Sequence, residues 1–244
     1  MTINRQWLLA ERPTGMVGSH NFKYAETPIP VPKSGEVLAK NLFLSFDPAQ
    51  RNWMVDREAY LPPVAIGEPM RAGSVGQIVD SQHADYAVGD LVQTTGCWQD
   101  YVVAAPGEGP MGLIKLPFGV SPEMMLSVLG ITGLTAYFGL LDIGQPKTGE
   151  TVLVSGAAGS TGSFVGQIAK IKGCRVVGIA GGPDKCKWLK ETAGFDAVID
   201  YKNEDVNAQI AHHCPGKWDV FFDNVGGPIL EAALDHMNLR ARIV

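Results

Sequence analysis

The sequence has few cysteines, no basic run and no long apolar run. Its four cysteines, at positions 97, 174, 186 and 214, form no CxxC pair, which argues against a disulfide framework and a structural zinc site. The sequence has no stripe of lysines and arginines that could bind the phosphates of a nucleic acid. No stretch approaches the roughly 20 apolar residues of a membrane span. Residues 1–12 lack the apolar centre of a signal peptide. We therefore expect a cytoplasmic protein with neither a nucleic-acid nor a membrane partner.

The 244 residues exceed the usual length of one domain, so two domains are expected. Up to about residue 116, short apolar runs are separated by Gly, Pro and Asp, which predicts a mostly β domain, a partly closed barrel. Its predicted strands are residues 37–44, 75–79, 91–93 and 101–103. At Ser121 an N-cap, followed by a first-turn proline, starts a helix. The predicted domains are residues 1–118, which are mostly β, and residues 119–244.

The second domain alternates between strand and helix patterns. The predicted strands are residues 151–156, 174–180, 197–201, 220–223 and the start of one at 242–244. The predicted helices are residues 160–172, 184–193, 206–213 and 228–237. This alternation is typical of βαβ crossovers and predicts an α/β fold with a doubly wound parallel sheet. Because the fifth strand should be buried and central, its position at the last residues, up to Val244, predicts a sheet that is truncated or smaller than usual.

A glycine-rich turn, Gly156-Ala157-Ala158-Gly159-Ser160-Thr161-Gly162, joins the first of these strands to a helix. Gly159 would let the backbone approach a pyrophosphate, and Gly162 would let the helix pack closely on the strand. The N–H groups at the helix start, around Ser160 and Thr161, would bind the phosphates. A tight structural turn is the alternative, but the position in a βαβ series favours dinucleotide binding.

The end of the second strand reads Ala180-Gly181-Gly182-Pro183-Asp184-Lys185. An NAD-binding protein usually carries an acid at this strand end to hydrogen-bond the ribose. Here Gly181 and Gly182 leave room for a 2'-phosphate and Lys185 supplies a cation, so NADPH is the predicted cofactor. The alternatives are a solvated Lys185 and an Asp184 that serves NAD. Tyr201 and Asn224 follow two further strands and could complete the pocket.

Seven segments resemble the leukotriene B4 dehydrogenase and prostaglandin reductase branch of the medium-chain dehydrogenase/reductase family, which includes bacterial curcumin reductases. They are DPAQR (47–51), YLPP (60–63), IGEPMRAG (66–73), GLTAYFGL (133–140), AAG (157–159), YKNED (201–205) and DNVGG (223–227). The likeness extends over the whole chain. It implies a GroES-like catalytic barrel domain over residues 1–118 and an incomplete Rossmann NADP-binding domain over residues 119–244, with the substrate in the cleft between them.

The resemblance also implies roles for individual residues. Lys185 and Tyr201 would hold the 2'-phosphate side, residues 159–162 the pyrophosphate, and Asn224 and Thr135 would lie along the cofactor. Tyr60 is similar to a substrate-cleft residue.

The resemblance assigns no catalytic residue within the sequence. The family's tyrosine beside the substrate would lie beyond Val244, so the catalytic residue is unknown. Dimerisation through the sheet edge would depend on that same segment, so a homodimer is expected only if the segment is present. Thr132 replaces a common proline, with little expected effect.

Zinc alcohol dehydrogenases of this fold bind the metal through barrel Cys and His residues, but the stretch from Asn21 to Gln82 contains neither. His212-His213-Cys214 fits a solvated helix end better than a metal site. Without a metal, the expected reaction is NADPH-dependent reduction of the carbon–carbon double bond of α,β-unsaturated ketones or aldehydes, with hydride added to the β-carbon. The alternatives are a quinone oxidoreductase of the same fold and a non-catalytic NADPH-binding protein or fragment.

Overall fold

The computed structural model describes residues 3–57, 61–107 and 112–244. The chain divides into two compact units, residues 1–126 and 127–244, here called the N-terminal unit and the C-terminal unit. Among the described residues, no helix is both long enough and apolar enough to cross a membrane.

The N-terminal unit consists mainly of antiparallel β-structure. Its elements are β1 (Ile3–Leu9), a 3-10 turn (Ser19–Asn21), β2 (Phe22–Pro28), β3 (Val37–Leu44), α1 (Ala49–Trp53), β4 (Ser74–Ser81), β5 (Leu91–Thr94), β6 (Tyr101–Ala104), β7 (Ile114–Lys115) and α2 (Pro122–Leu126). Strands β1 and β2 form a hairpin, and the others form a sheet of order β6-β3-β4-β5-β7. Isolated bridges from Gln6 to Gln99 and from Leu8 to Pro69 join β1 to the segments that precede β6 and β4, in agreement with the partly closed barrel predicted from the sequence.

Two buried clusters hold this unit together. One lies between the strands of the larger sheet and contains Val37, Ile78 and Val92. The other joins the hairpin to the segment after β3 and contains Leu9 and Met70. All five side chains are almost fully buried, so the hairpin and the larger sheet are stabilised mainly by apolar contacts.

The C-terminal unit is an α/β layer structure. Its elements are α3 (Ile131–Phe138), a π-helical turn (Gly139–Gly144), β8 (Thr151–Val154), α4 (Ser160–Ile171), β9 (Arg175–Ala180), α5 (Pro183–Glu191), β10 (Ala197–Asp200), α6 (Val206–His213), β11 (Trp218–Phe222), α7 (Gly227–Leu234) and β12 (Met237–Ile243). All five strands are parallel, in the order β10-β9-β8-β11-β12. The predicted doubly wound sheet is confirmed.

Both faces of this sheet are buried at its central strand, β8. Val152 and Val154 of β8 belong to one cluster with Val165 of α4, whereas Leu153 belongs to a cluster on the opposite face with Trp218. A strand covered on both faces has apolar residues at consecutive positions. This explains the uninterrupted apolar run of β8.

The last helix and strand differ from the sequence prediction. Helix α7 ends at Leu234 and strand β12 already begins at Met237. Trp218 pairs with Met237, and the register then shifts before β11 and β12 pair again. The predicted buried, central position of this strand is wrong, since Ile243 is 46% exposed and β12 lies at one end of the strand order. Two arginines and an asparagine interrupt its apolar pattern, which is why the prediction began too late.

The predicted end of this strand is also corrected. Val244 was predicted to be part of it, but β12 ends at Ile243. The backbone of Val244 still bonds to the neighbouring strand and its loop, because its N–H donates to Phe221 O and its carbonyl oxygen accepts from Asp223 N–H, both at 2.9 Å. Its half-buried side chain packs against the apolar cluster that contains Val220. Val244 therefore lies next to the carboxyl end of β11.

Arg242 attaches β12 to the rest of the sheet. Its guanidinium forms a bidentate pair with Glu150, with Nη2–Oε2 at 2.6 Å and Nη1–Oε1 at 3.1 Å. It also donates to the carbonyl oxygens of Gly144 (2.7 Å) and Gln145 (2.8 Å). The hydrogen bonds from Arg242 hold the pKa of the Glu150 carboxyl below its ordinary value. One side chain thus joins β12, the π-helical turn and the start of β8.

Candidate functional site

The strand order defines where a ligand can bind on the C-terminal unit. Strands β8 and β11 are neighbours, although β9 and β10 lie between them in the sequence. The connections from β8 and from β11 therefore run in opposite directions across the sheet. In open α/β sheets, ligands bind at the carboxyl ends of the strands at this switch point. The segments that follow β8 and β11 are residues 155–159 and 223–226.

The glycine-rich turn after β8 has little space for side chains. Gly156 has a positive φ of 56°, and its carbonyl oxygen accepts a hydrogen bond from Gly159 N–H at 2.9 Å. A Cβ atom on Gly162 would lie 2.5 Å from that same oxygen. Gly159 is the N-cap of α4, so the first N–H groups of the helix have no partner within the helix. The turn presents backbone donors at a positive helix end, which suits a phosphate.

A hydrogen-bonded group connects the ends of β8 and β11. The buried Ser155 hydroxyl donates to Asp223 Oδ1 (2.6 Å) and accepts from Asn224 N–H (2.8 Å). Asn224 Nδ2 donates to the Ser155 carbonyl oxygen (2.9 Å), which fixes the orientation of the amide. Asp223 Oδ1 also accepts from the N–H groups of Val225 and Gly226, each at 3.0 Å.

The charge of Asp223 is stabilised by these contacts. Burial acts to raise the pKa of its carboxyl, but the hydrogen bonds from Gly226, Ser155 and Val225 outweigh it, so the pKa lies below its ordinary value. Asp223 is therefore an ionised acceptor that fixes the loop carrying Asn224.

The ends of β9 and β10 are joined in a similar way. A Cβ on Gly181 would lie 2.7 Å from the Tyr201 ring, so the ring covers this glycine. The Asp200 carboxylate accepts from the N–H groups of Gly182 (2.8 Å) and Lys202 (3.1 Å) and from Asn203 Nδ2 (2.7 Å). Gly182 has a φ of 97°, a conformation that glycine adopts readily. Gly181 and Tyr201, both predicted from the sequence, thus lie side by side.

Lys185 lies in the first turn of α5, beside the glycine-rich turn. A pocket of about 250 Å³ is lined by Ala158, Asp184, Lys185 and Trp188. Lys185 is exposed, and the ion pairs found among the described residues do not include it. Its ammonium group is therefore available to an anion, while Asp184 lines the same pocket.

Other predicted site residues lie elsewhere. The Thr135 hydroxyl donates to Ile131 O (2.6 Å) within its own helix, and among the described residues no side-chain hydrogen bond joins it to the other predicted site residues. Tyr60 is outside the described residues. Instead, Thr132 on the same helix contacts the start of α4, where the Ser160 hydroxyl donates to Thr132 Oγ1 at 3.0 Å.

The catalytic tyrosine that the resemblance places beyond Val244 stays a prediction. Val244 itself is bonded to Asp223 through the backbone, with its carbonyl oxygen 2.9 Å from Asp223 N. A segment that continued from Val244 would therefore start beside the switch point. Within the described residues, no side chain is assigned as the catalytic group.

Four residues of this region were missed in the sequence: Thr132, Ser155, Asp200 and Asp223. A signal existed for Ser155 and Asp223, because each directly follows an apolar strand of a parallel sheet and such residues meet at one edge. Asp200 is the last residue of its strand, and its three donors come from two different loops. Thr132 was noted only as a replacement for a common proline, with little expected effect, and nothing in the local sequence indicated its contact with Ser160.

No group of three or more His, Cys, Asp or Glu residues that could hold a metal ion occurs within residues 3–57, 61–107 and 112–244. The fold and the glycine-rich turn at the switch point define the class, a dinucleotide-binding α/β domain attached to an antiparallel barrel domain.

Comparisons with known proteins give the family. Residues 5–112 match a family described as the N-terminal domain of oxidoreductase, and residues 160–244 match one described as zinc-binding dehydrogenase. The chain is 45% identical over 241 residues to the NADPH-dependent curcumin reductase of Escherichia coli (strain K12), covering 98% of this chain and 69% of that protein. It is 37% identical to the 2-alkenal reductase (NADP(+)-dependent) of Nicotiana tabacum, covering 98% and 71%.

The crystal structure of CurA in complex with NADPH from Vibrio vulnificus is 45% identical and superposes with a TM-score of 0.92, covering 98% of this chain and 70% of that one. The chain belongs to the zinc-independent branch of the medium-chain dehydrogenase/reductase family. The resemblance found in the sequence motifs is confirmed.

Proposed function

We propose that this protein uses NADPH to reduce the carbon–carbon double bond of α,β-unsaturated ketones and aldehydes. Two relatives named for such reductions, a curcumin reductase and a 2-alkenal reductase, match almost the whole chain. The observation that carries the proposal is the site at the carboxyl edge of the parallel sheet. There a glycine-rich turn adjoins the exposed cation Lys185, and β9 ends in Ala180 rather than in an acid.

The chemistry of these residues fits the cofactor. Residues 159–162, including Ser160 and Thr161, would hold the pyrophosphate with backbone N–H groups at the positive end of α4. Lys185 would pair with the 2'-phosphate, and Gly181 with Tyr201 would form the wall beside it. A carboxylate at the end of β9 would repel that phosphate, whereas Ala180 does not.

Asn224 and Thr135 are proposed to lie along the rest of the cofactor. The hydrogen bond from Asn224 Nδ2 to Ser155 O fixes the orientation of the side-chain amide. Its Oδ1 would then accept a hydrogen bond from an N–H group of the ligand. When bound, NADPH supplies the hydride that adds to the β-carbon of the substrate. The contribution of this chain is to hold the cofactor in one orientation, which lowers the barrier to transfer. Tyr60 stays a predicted substrate residue.

The test follows NADPH absorbance with a 2-alkenal, a medium-chain enone and a quinone as separate substrates, and with ethanol plus NADP as a control. We expect turnover of the alkenal and the enone. Mass spectrometry should show a product that has gained two hydrogens and kept its carbonyl group. Alcohol oxidation without alkene reduction would refute the proposal. A quinone reduced much faster than any enone would favour the quinone oxidoreductase alternative. NADPH binding without turnover of any substrate would favour a non-catalytic NADPH-binding protein or fragment.

The cellular location and the oligomeric state are further proposals. A cytoplasmic location is supported by the four cysteines, which are all free thiols and therefore suit a reducing compartment. A homodimer through the edge of the parallel sheet is the predicted assembly only if the segment beyond Val244 is present. Cell fractionation tests the location, and light scattering on the purified native protein tests the assembly.

A further inference from the structure

The side chain of Thr132 contacts the start of the helix that the proposed cofactor site uses. Thr132 is the second residue of α3, and Ser160 is the first residue of α4. Their hydroxyl oxygens are 3.0 Å apart, with Ser160 as the donor. Thr132 Oγ1 in turn lies 3.4 Å from the carbonyl oxygen of Ser127. Thr132 is half-buried and Ser160 is exposed, so the pair lies near the surface, with Thr132 the more covered of the two.

A hydroxyl group has one proton to donate and two lone pairs that accept. Phosphate diester oxygens only accept, so a Ser160 hydroxyl that contacts the pyrophosphate must turn its proton away from Thr132. Thr132 can then donate its own proton to Ser160 Oγ. The hydrogen bond given up is the one to Ser127 O, which at 3.4 Å is long and therefore weak.

The contact thus has two compatible arrangements. In one arrangement, the Ser160 hydroxyl donates to Thr132 and the Thr132 hydroxyl donates to Ser127 O. In the other, the Thr132 hydroxyl donates to Ser160 and the Ser160 hydroxyl donates to the pyrophosphate. A hydroxyl that already accepts a hydrogen bond is a better donor, because hydrogen bonds in series strengthen one another.

We propose that Thr132 is a positioning residue for the dinucleotide, which holds the Ser160 side chain at the start of α4 and orients its proton toward the pyrophosphate. This proposal rests on the proposed function, since it requires a dinucleotide on the glycine-rich turn. The pyrophosphate is common to NADPH and NADH, so Thr132 contributes to the binding of both and not to the choice between them.

The experiment compares Thr132→Val, which keeps the shape without the hydroxyl, with Thr132→Ser, which keeps the hydroxyl. Dissociation constants for NADPH and NADH are measured by fluorescence titration, together with the melting temperature and the steady-state constants. We expect Thr132→Val to weaken binding of both dinucleotides by about fivefold, as loss of one hydrogen bond would. Thr132→Ser should bind like the wild type. The KM for NADPH should rise in Thr132→Val while kcat changes little.

A double-mutant cycle with Ser160→Ala separates positioning from a general effect on packing. If Thr132 acts through Ser160, Thr132→Val adds no further loss in the Ser160→Ala background. Additive losses, unchanged binding in a folded Thr132→Val protein, or an equal loss in Thr132→Ser would each overturn the proposal. Thr132→Ala replaces the valine variant if that protein does not fold. A wild-type chain that binds neither dinucleotide would refute the proposed function itself, and this proposal with it.

Discussion

Lys185 is the residue on which discrimination between NADPH and NADH is proposed to depend. It is exposed beside a pocket of about 250 Å³ that Ala158 of the glycine-rich turn also lines. The two dinucleotides differ only in the 2'-phosphate, so a cation at this place affects one and not the other. Asp184 is in the same turn, and its charge would act in the opposite direction.

Replacing this lysine therefore gives the first prediction. Lys185→Ala should raise the dissociation constant for NADPH by about tenfold, which corresponds to one charge-assisted hydrogen bond. The constant for NADH should stay within about twofold of the wild type, because no group of NADH requires the cation. Fluorescence titration with each dinucleotide measures both values.

Lys187→Ala is the matched control, since Lys187 is also exposed on α5 but is not among the residues that line the pocket. It should leave both constants unchanged. An equal loss of NADPH and NADH affinity in Lys185→Ala would mean that the lysine supports the loop and does not recognise the phosphate.

At the level of secondary structure, the close approach of α4 to the glycine-rich turn depends on Gly162. A Cβ at this position would lie 2.5 Å from Gly156 O and 2.8 Å from Ala157 Cα, and both are backbone atoms that cannot rotate away. The helix start can hold a pyrophosphate only if it stays against the turn. Both the packing of α4 and the binding of the pyrophosphate therefore require a residue without a Cβ at position 162.

Gly162→Ala should lower the free energy of unfolding by about 2 kcal/mol, as expected for overpacking against backbone. It should also weaken the binding of NADPH and NADH together, because the first turn of α4 must move. Denaturant unfolding and dinucleotide titration are the measurements. The exposed Gln167→Ala on the same helix is the control, and a Gly162→Ala protein as stable as this control would contradict the packing argument.

The elements that sequence analysis found were those with uninterrupted or alternating apolar patterns. Strand β3 was predicted with its observed bounds, and all five parallel strands were found. The hairpin strand β1 was missed because a polar residue, Asn4, lies at a buried position. Its side chain donates to Tyr101 O and accepts from Tyr101 N. A hydrogen bond to a residue almost a hundred positions away leaves no local pattern.

In the candidate site, too, features that depend on local sequence could be predicted and those that depend on distant contacts could not. The glycine-rich turn and Lys185 follow directly from local sequence, since backbone conformation and charge are properties of single residues. The groups around Asp223 and Asp200 could not be predicted, because each carboxylate receives donors that only the folded sheet brings together. Contacts between strands depend on strand order, which local patterns do not contain.

At the level of the whole molecule, one ion pair supplements the backbone pairing that holds β12 in the parallel sheet. The Arg242 and Glu150 side chains are only 26% and 20% exposed, and the arginine also satisfies two carbonyl oxygens of the π-helical turn and its C-cap. Loss of the guanidinium would leave the partly buried carbonyl oxygen of Gly144 without this donor.

Arg242→Gln should therefore lower the free energy of unfolding by about 2 kcal/mol near pH 7. The pKa of Glu150 is lower in the folded protein than in the unfolded chain, so the ion pair stabilises the fold above the ordinary glutamate range. As the pH falls below about 4, toward the lowered pKa, this contribution disappears. The difference between wild type and variant should shrink accordingly in denaturant unfolding across pH.

Arg240→Gln is the control for this comparison, because Arg240 is an exposed arginine on the same strand. Its unfolding free energy should match the wild type at every pH. A difference between Arg242→Gln and wild type that stays constant down to acid pH would show that the charge of Glu150 does not contribute.

The contacts of Asp223 restrict where a reductase of this kind can obtain its second hydrogen. Double-bond reduction needs a proton as well as a hydride, and a carboxylic acid at the switch point would be an obvious source. Here that carboxyl accepts three hydrogen bonds through Oδ1, and its pKa lies below the ordinary value, so it is an anion with no proton to give at neutral pH. Protonation of the product must therefore draw on water or on a different side chain.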